Sequence, residues 1–84
     1  MTQHTRVLAY VNRIRKELGK KPIKRLPKGE RRSPVSCPIA RGIGSGARFS
    51  GVAITPNGHY DAPQYVRNFV YLFDSGQYPE LVRK

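Results

Sequence analysis

The chain reads as a small α+β single domain, and three observations predict it. Val7, Val11, Ile14 and Leu18 recur at helical spacing near the N-terminus. Val66, Phe69, Val70 and Phe73 repeat the pattern near the C-terminus. Between them an alternating stretch ends in Pro56-Asn57-Gly58, a tight-turn sequence whose glycine supplies the positive φ that a hairpin needs. The expected order over residues 1–84 is therefore an N-terminal helix, a basic loop, a short helix, a β-hairpin and a C-terminal helix.

Each element has local reasons. Thr2 or Thr5 can cap the first helix, and Gly19 with Pro22 behind it forms a stop signal. Arg6, Arg13 and Lys16 fall opposite the apolar stripe, so one helix face packs and the other is basic. From Lys20 to Val35 no helical or strand period exists. Pro22, Pro27, Gly29 and Pro34 punctuate this stretch, which is expected to be an extended, poorly packed basic loop over 20–35, with Ile23 and Leu26 as anchor points. Ser36 can cap a short helix from Cys37 to Ile43, with Pro38 in its first turn. Ala47 to Thr55 reads as one strand, and His59 to Asp61 as the return strand. Asp61 and Gln64 have capping-box spacing ahead of the last helix, which Gly76 closes. Tyr78, Leu81 and Val82 can fold back on the core.

Charge is the strongest functional signal. The chain has 84 residues and a formal net charge of +11. The twenty residues from Arg13 to Arg32 hold ten cations against Glu17 and Glu30, a net +8. A concentrated excess of this kind points to a polyanion or an acidic protein surface. Phosphate binding needs several cations within reach of a closely charged backbone. Arg13, Arg15, Lys16, Lys20, Lys21, Lys24, Arg25, Lys28, Arg31 and Arg32 are the candidate phosphate contacts for DNA or RNA. The alternative is a protein-interaction module that docks on, and modulates, an acidic host protein.

Other signals are weaker. Phe69 and Phe73 lie on a helix stripe and read as core, whereas Tyr60, Tyr65 and Tyr78 are freer to stack on bases. Gly42-Ile43-Gly44-Ser45-Gly46 lacks the Gly-Lys-Ser/Thr ending of a phosphate loop and precedes a strand, so it reads as a flexible connection. The single cysteine, Cys37, reads as a buried thiol. It could form a catalytic set with His59 and Asp61 only if the fold brought them together. Cys37, His4 and His59 lack metal-ligand spacing, so no cofactor or metal is expected, and the reading is non-enzymatic. No apolar run of membrane-spanning length and no signal-peptide pattern is visible. No disulfide framework is present either, which makes a cytoplasmic location the default.

Two resemblances add context. Leu26-Pro27-Lys28-Gly29, Cys37-Pro38-Ile39-Ala40-Arg41 and Phe73-Asp74-Ser75-Gly76-Gln77-Tyr78-Pro79-Glu80-Leu81 resemble small proteins of actinobacteria and their phages. This implies a small, cytoplasmic, phage-type protein and carries no catalytic residues over. Asn57-Gly58-His59-Tyr60 followed by a helix is similar to the wing of MerR-like or excisionase-type winged helices. The sequence departs from that pattern at Gly42, Gly44, Gly46 and Gly51, which make a poor recognition helix.

Overall fold

The computed structural model describes residues 3–44 and 46–82. The elements are α1 (Gln3–Glu17), α2 (Pro38–Ile43), β1 (Arg48–Phe49), β2 (Val52–Thr55), β3 (Gly58–Asp61), α3 (Gln64–Asp74) and a closing 3₁₀ turn (Pro79–Leu81). They form a small α+β fold in which α1 packs on α2 and α3.

The stripe of α1 buries as its spacing requires. Val7, Val11 and Ile14 are inaccessible or nearly so, and Leu18 packs against them partly buried. Both long helices end in the same way. The Lys20 N–H donates to the Arg15 carbonyl at 2.8 Å and the Gly19 N–H to Lys16 at 3.1 Å; Gln77 and Gly76 repeat this with Leu72 and Phe73 at 2.9 and 3.1 Å. These are Schellman closures, with glycine in the left-handed position. Thr5 lies inside α1, which starts earlier, and Thr2 lies outside the described residues.

Four local expectations are corrected. The single strand over Ala47 to Thr55 is two strands, because the chain reverses at Ser50-Gly51, with Gly51 at φ +74°. The sheet is a three-stranded antiparallel meander, β1-β2-β3, not a lone hairpin. Phe49, Ala53 and Tyr60 stand side by side across it, as do Arg48, Ile54 and His59. The first row faces the core, where Phe49 and Ala53 are buried; in the second row Arg48 and His59 are exposed. The Pro56-Asn57 turn forms where expected.

The N-cap of α2 is Cys37 rather than Ser36, and its Sγ accepts from the Ala40 N–H at 3.4 Å. The Asp61–Gln64 capping box does not form. Pro63 is the N-cap of α3 and offers no side-chain bond, while Gln64 instead bonds Asn68 and Arg67, each at 2.9 Å.

The basic segment is also better packed than expected. It contains turns, bends and one β-bridge, and no helix. Leu26 is buried, and Ile23 partly so. Asn12 clasps Ile23 from both sides, accepting from its N–H at 2.8 Å and donating to its carbonyl at 3.0 Å. The Gly29 N–H donates to the Leu81 carbonyl at 2.8 Å, and Gly29 bridges Val82 in parallel. The Glu30 N–H reaches the Ser36 carbonyl at 2.8 Å. The Arg32 N–H reaches Asp74 Oδ1 at 2.8 Å. A segment held at so many points has already lost most of its backbone freedom on folding, so the ordering cost does not fall on binding.

Candidate nucleic-acid interface

The ten candidate cations divide by what their charged ends touch. Arg15 and Lys20 are half-buried and turned onto the C-terminal end of α2. Arg15 Nη1 donates to the Gly42 carbonyl at 2.8 Å and its Nε to the Lys21 carbonyl at 2.7 Å. Lys20 Nζ donates to the Ile43 carbonyl at 3.0 Å. The last carbonyls of a helix have no intrahelical donor and sit at the negative end of its dipole, so two cations there cap α2. Arg31 is exposed, but its Nε holds the Asp74 carbonyl at 2.9 Å.

Arg13, Lys16, Lys21, Lys24, Arg25, Lys28 and Arg32 are exposed. Arg13 and Lys16 stand one turn apart on α1, and the other five follow along the pinned segment. Arg32 sits at φ +59°, an uncommon conformation for a residue with a side chain. Its N–H bond to Asp74 is the contact that holds it there.

This division gives a direct expectation. Arg15→Met removes charge-assisted bonds to carbonyls that are part-buried, and should cost about 1.5–3 kcal/mol in urea unfolding. Lys24→Met, at an exposed position, should stay within about 0.5 kcal/mol.

Two exposed cations outside the expected set make contacts of their own. Arg41 Nη1 donates to the Lys28 carbonyl and so ties the segment to α2. Arg6 lies 4.2 Å from the centroid of the Tyr65 ring, a cation–π contact. A lone arginine in a short helix carries no sequence signal that distinguishes it from solvated charge, whereas Arg6 falls on the basic face of α1 that the helical spacing already marks.

The aromatic residues are mostly committed. Phe69 and Phe73 are fully buried, as the stripe predicts. Tyr78 stacks on Phe69 with centroids 5.1 Å apart and lies 4.8 Å from His4. Tyr10 is buried, and its hydroxyl donates to the Tyr60 carbonyl at 3.1 Å. Burial pushes its phenol up to about 12. Tyr60 and Tyr65 are partly buried and line a cleft between α1 and β3. Tyr71, at the edge of the α3 stripe, is 71% exposed.

The imagined thiol set is not assembled. Cys37 is buried, and burial raises its pKa, which favours the neutral thiol. His59 and Asp61 line the α1–β3 cleft, whereas Cys37 borders a different depression with Arg32, Phe49 and Asp74. Among the described residues no group of three His, Cys, Asp or Glu side chains could hold a metal ion. Among them too, no helix is long and apolar enough to cross a membrane.

The hairpin-then-helix order of a wing is present in β2, β3 and α3. The helix before it, α2, has only six residues and buries Pro38, Ile39, Ala40, Gly42 and Ile43, so it presents no recognition face. Ser45 of the glycine-rich run lies outside the described residues. No protein-family model matches this chain, and comparison with curated proteins and with solved structures finds no match.

Proposed function

We propose that the chain is a non-enzymatic, phage-type basic protein of the cytoplasm that binds nucleic acid through phosphate contacts. The observation that carries this reading is the row of exposed cations on a segment hydrogen-bonded to the body. Arg13 and Lys16 on α1, and Lys21, Lys24, Arg25, Lys28 and Arg32 along the segment, are free of the capping duty that occupies Arg15 and Lys20. Pre-ordered cations release counterions from a polyanion without a large folding cost. The resemblance to small phage and actinobacterial proteins supports the phage-type assignment. The separation of Cys37 from His59 and Asp61 supports a non-enzymatic role.

The test is a salt titration of DNA and RNA binding. With about six phosphate contacts, affinity should fall about 10³-fold between 50 and 200 mM salt. Absence of binding to either polymer at the lower salt would refute the reading.

A second reading, docking on an acidic host protein, draws on two exposed apolar side chains, Val35 at 58% and Tyr71 at 71%. One stoichiometric protein partner that survives nuclease treatment, with Val35→Asp and Tyr71→Asp abolishing it, would favour that reading.

A further inference from the structure

The cleft between α1 and β3 differs from the rest of the basic surface. It encloses about 530 Å³, within the range of small-ligand pockets. One wall is the α1 face of Ala9, Arg13 and Glu17, spaced four apart; Tyr60 and Tyr65 contribute to the other. Both tyrosines are partly buried, and Tyr60 lies in the core-facing row of the sheet at its β3 edge.

Inside, carboxylates outnumber the cation. Glu17 and Asp61 line the cleft together with Arg13. Two carboxylates beside one guanidinium make the interior a poor place for phosphate. Outside, the cations are on α1 itself: Lys16 is exposed one turn from Arg13, and Arg6 lies over the Tyr65 ring, whereas Lys24 and Arg25 border a separate depression with Thr5 and Leu8. An aromatic-lined recess in which carboxylates outnumber cations, beside the cationic outer face of α1, matches a nucleotide whose base is inside and whose phosphates are outside.

We propose that the α1–β3 cleft receives an unstacked nucleobase, and that the protein therefore binds single strands in preference to duplex. This rests on the phosphate-contact reading and adds the form of nucleic acid to it. A duplex keeps its bases stacked and offers only groove edges, so a recess of this size is inaccessible to it without base flipping. A single strand can turn a base out and lay it against a tyrosine at small cost, which is how sequence-tolerant single-strand binders gain affinity. Arg13 belongs to both the cleft and the outer face, and positions the phosphate next to the inserted base.

The experiment compares fluorescein-labelled 12-mer single strands with the matching duplex in 50 mM salt, using the full chain. The wild type should bind the single strand about tenfold or more tightly than the duplex, the scale of one base–aromatic stack. Tyr60→Leu should erase that margin and change duplex affinity by less than about twofold, since it leaves the phosphate contacts intact. Ala9→Leu fills the cleft from an exposed helical position and should have the same effect with no dependence on the sheet packing of Tyr60.

Equal affinity for single strand and duplex overturns the cleft proposal and leaves phosphate binding standing. So does a preference that persists in both variants. No binding of either form overturns the phosphate reading, and the cleft proposal with it.

Discussion

Gly29→Ala is expected to lower the melting temperature by about 10–20 °C, from a cost of about 3 kcal/mol. Gly29 is not in a left-handed conformation. Its constraint is close approach. A Cβ at this position would overlap the Ser36 carbonyl oxygen, and would lie 2.7 Å from Pro38 N and 2.8 Å from the Cys37 carbonyl carbon. All three are backbone atoms at the entry to α2 and cannot rotate away. On its other side Gly29 donates its N–H to Leu81. The basic segment is thus wedged between the start of α2 and the C-terminal turn, and one methyl group must displace one of them. At about 0.05–0.15 kcal/mol per residue a domain of this size has total stability of about 4–12 kcal/mol, so the loss is large. Urea unfolding followed by far-UV circular dichroism measures it. Lys28→Ala, one residue earlier and exposed, should move stability by less than about 0.5 kcal/mol. An unchanged midpoint for Gly29→Ala would mean that the segment is not seated against α2.

Phe69→Ala should cost about 3–5 kcal/mol, near the limit the fold tolerates. The ring is fully buried on the α3 stripe. It stacks on Tyr78 and meets His4 of α1 edge-on at 5.6 Å. Truncation therefore opens a cavity and removes the surface on which the C-terminal turn rests. A second readout follows. The Gly29 amide is bound to Leu81, three residues beyond Tyr78, so its hydrogen exchange should quicken more than that of the central α1 amides. Phe69→Leu, which keeps most of the volume, should lose less than half as much stability. Uniform exchange changes across the chain would show that the turn and α3 do not form a separable unit.

Both substitutions attack one closure, in which the basic segment, the C-terminal turn and α3 hold one another. That closure is the part of the fold least legible in the sequence. The helices were legible because burial imposes a period: Val7 to Ile14 and Val66 to Phe73 state it directly, and Gly19 and Gly76 mark the ends. The Pro56-Asn57-Gly58 turn was legible for its chemistry. The reversal at Ser50-Gly51 was not, since a glycine within an alternating stretch looks the same whether the strand continues or turns back. Only the pairing of Phe49 with Ala53 decides it. The contact of Gly29 with Leu81 joins positions far apart in the chain, and no local pattern announces such a pair.

The candidate site was half legible. Charge density located the surface but could not sort its members. Arg15 and Lys20 look like their neighbours in sequence, yet Arg15 reaches the end of α2 from its place on α1, and Lys20 reaches it just after the Schellman turn at Gly19, where open carbonyls take them. The cleft beside β3 was invisible for a different reason: its walls come from α1 and from a strand that follows it by more than forty residues. Tyr60 and Tyr65 were recognisable as candidates for stacking, but the recess they line arises only when β3 becomes the sheet edge next to α1.

The account depends most on the exposed, pinned cations making phosphate contacts. Its most direct test is the slope of log affinity against log salt for one DNA duplex, measured for the wild type and for a variant carrying Lys21→Gln, Lys24→Gln, Arg25→Gln and Lys28→Gln. If these four residues each neutralise a phosphate, the slope should shrink by about three to four, while urea stability changes little. An unchanged slope, or tight binding that ignores salt in both proteins, would contradict the account.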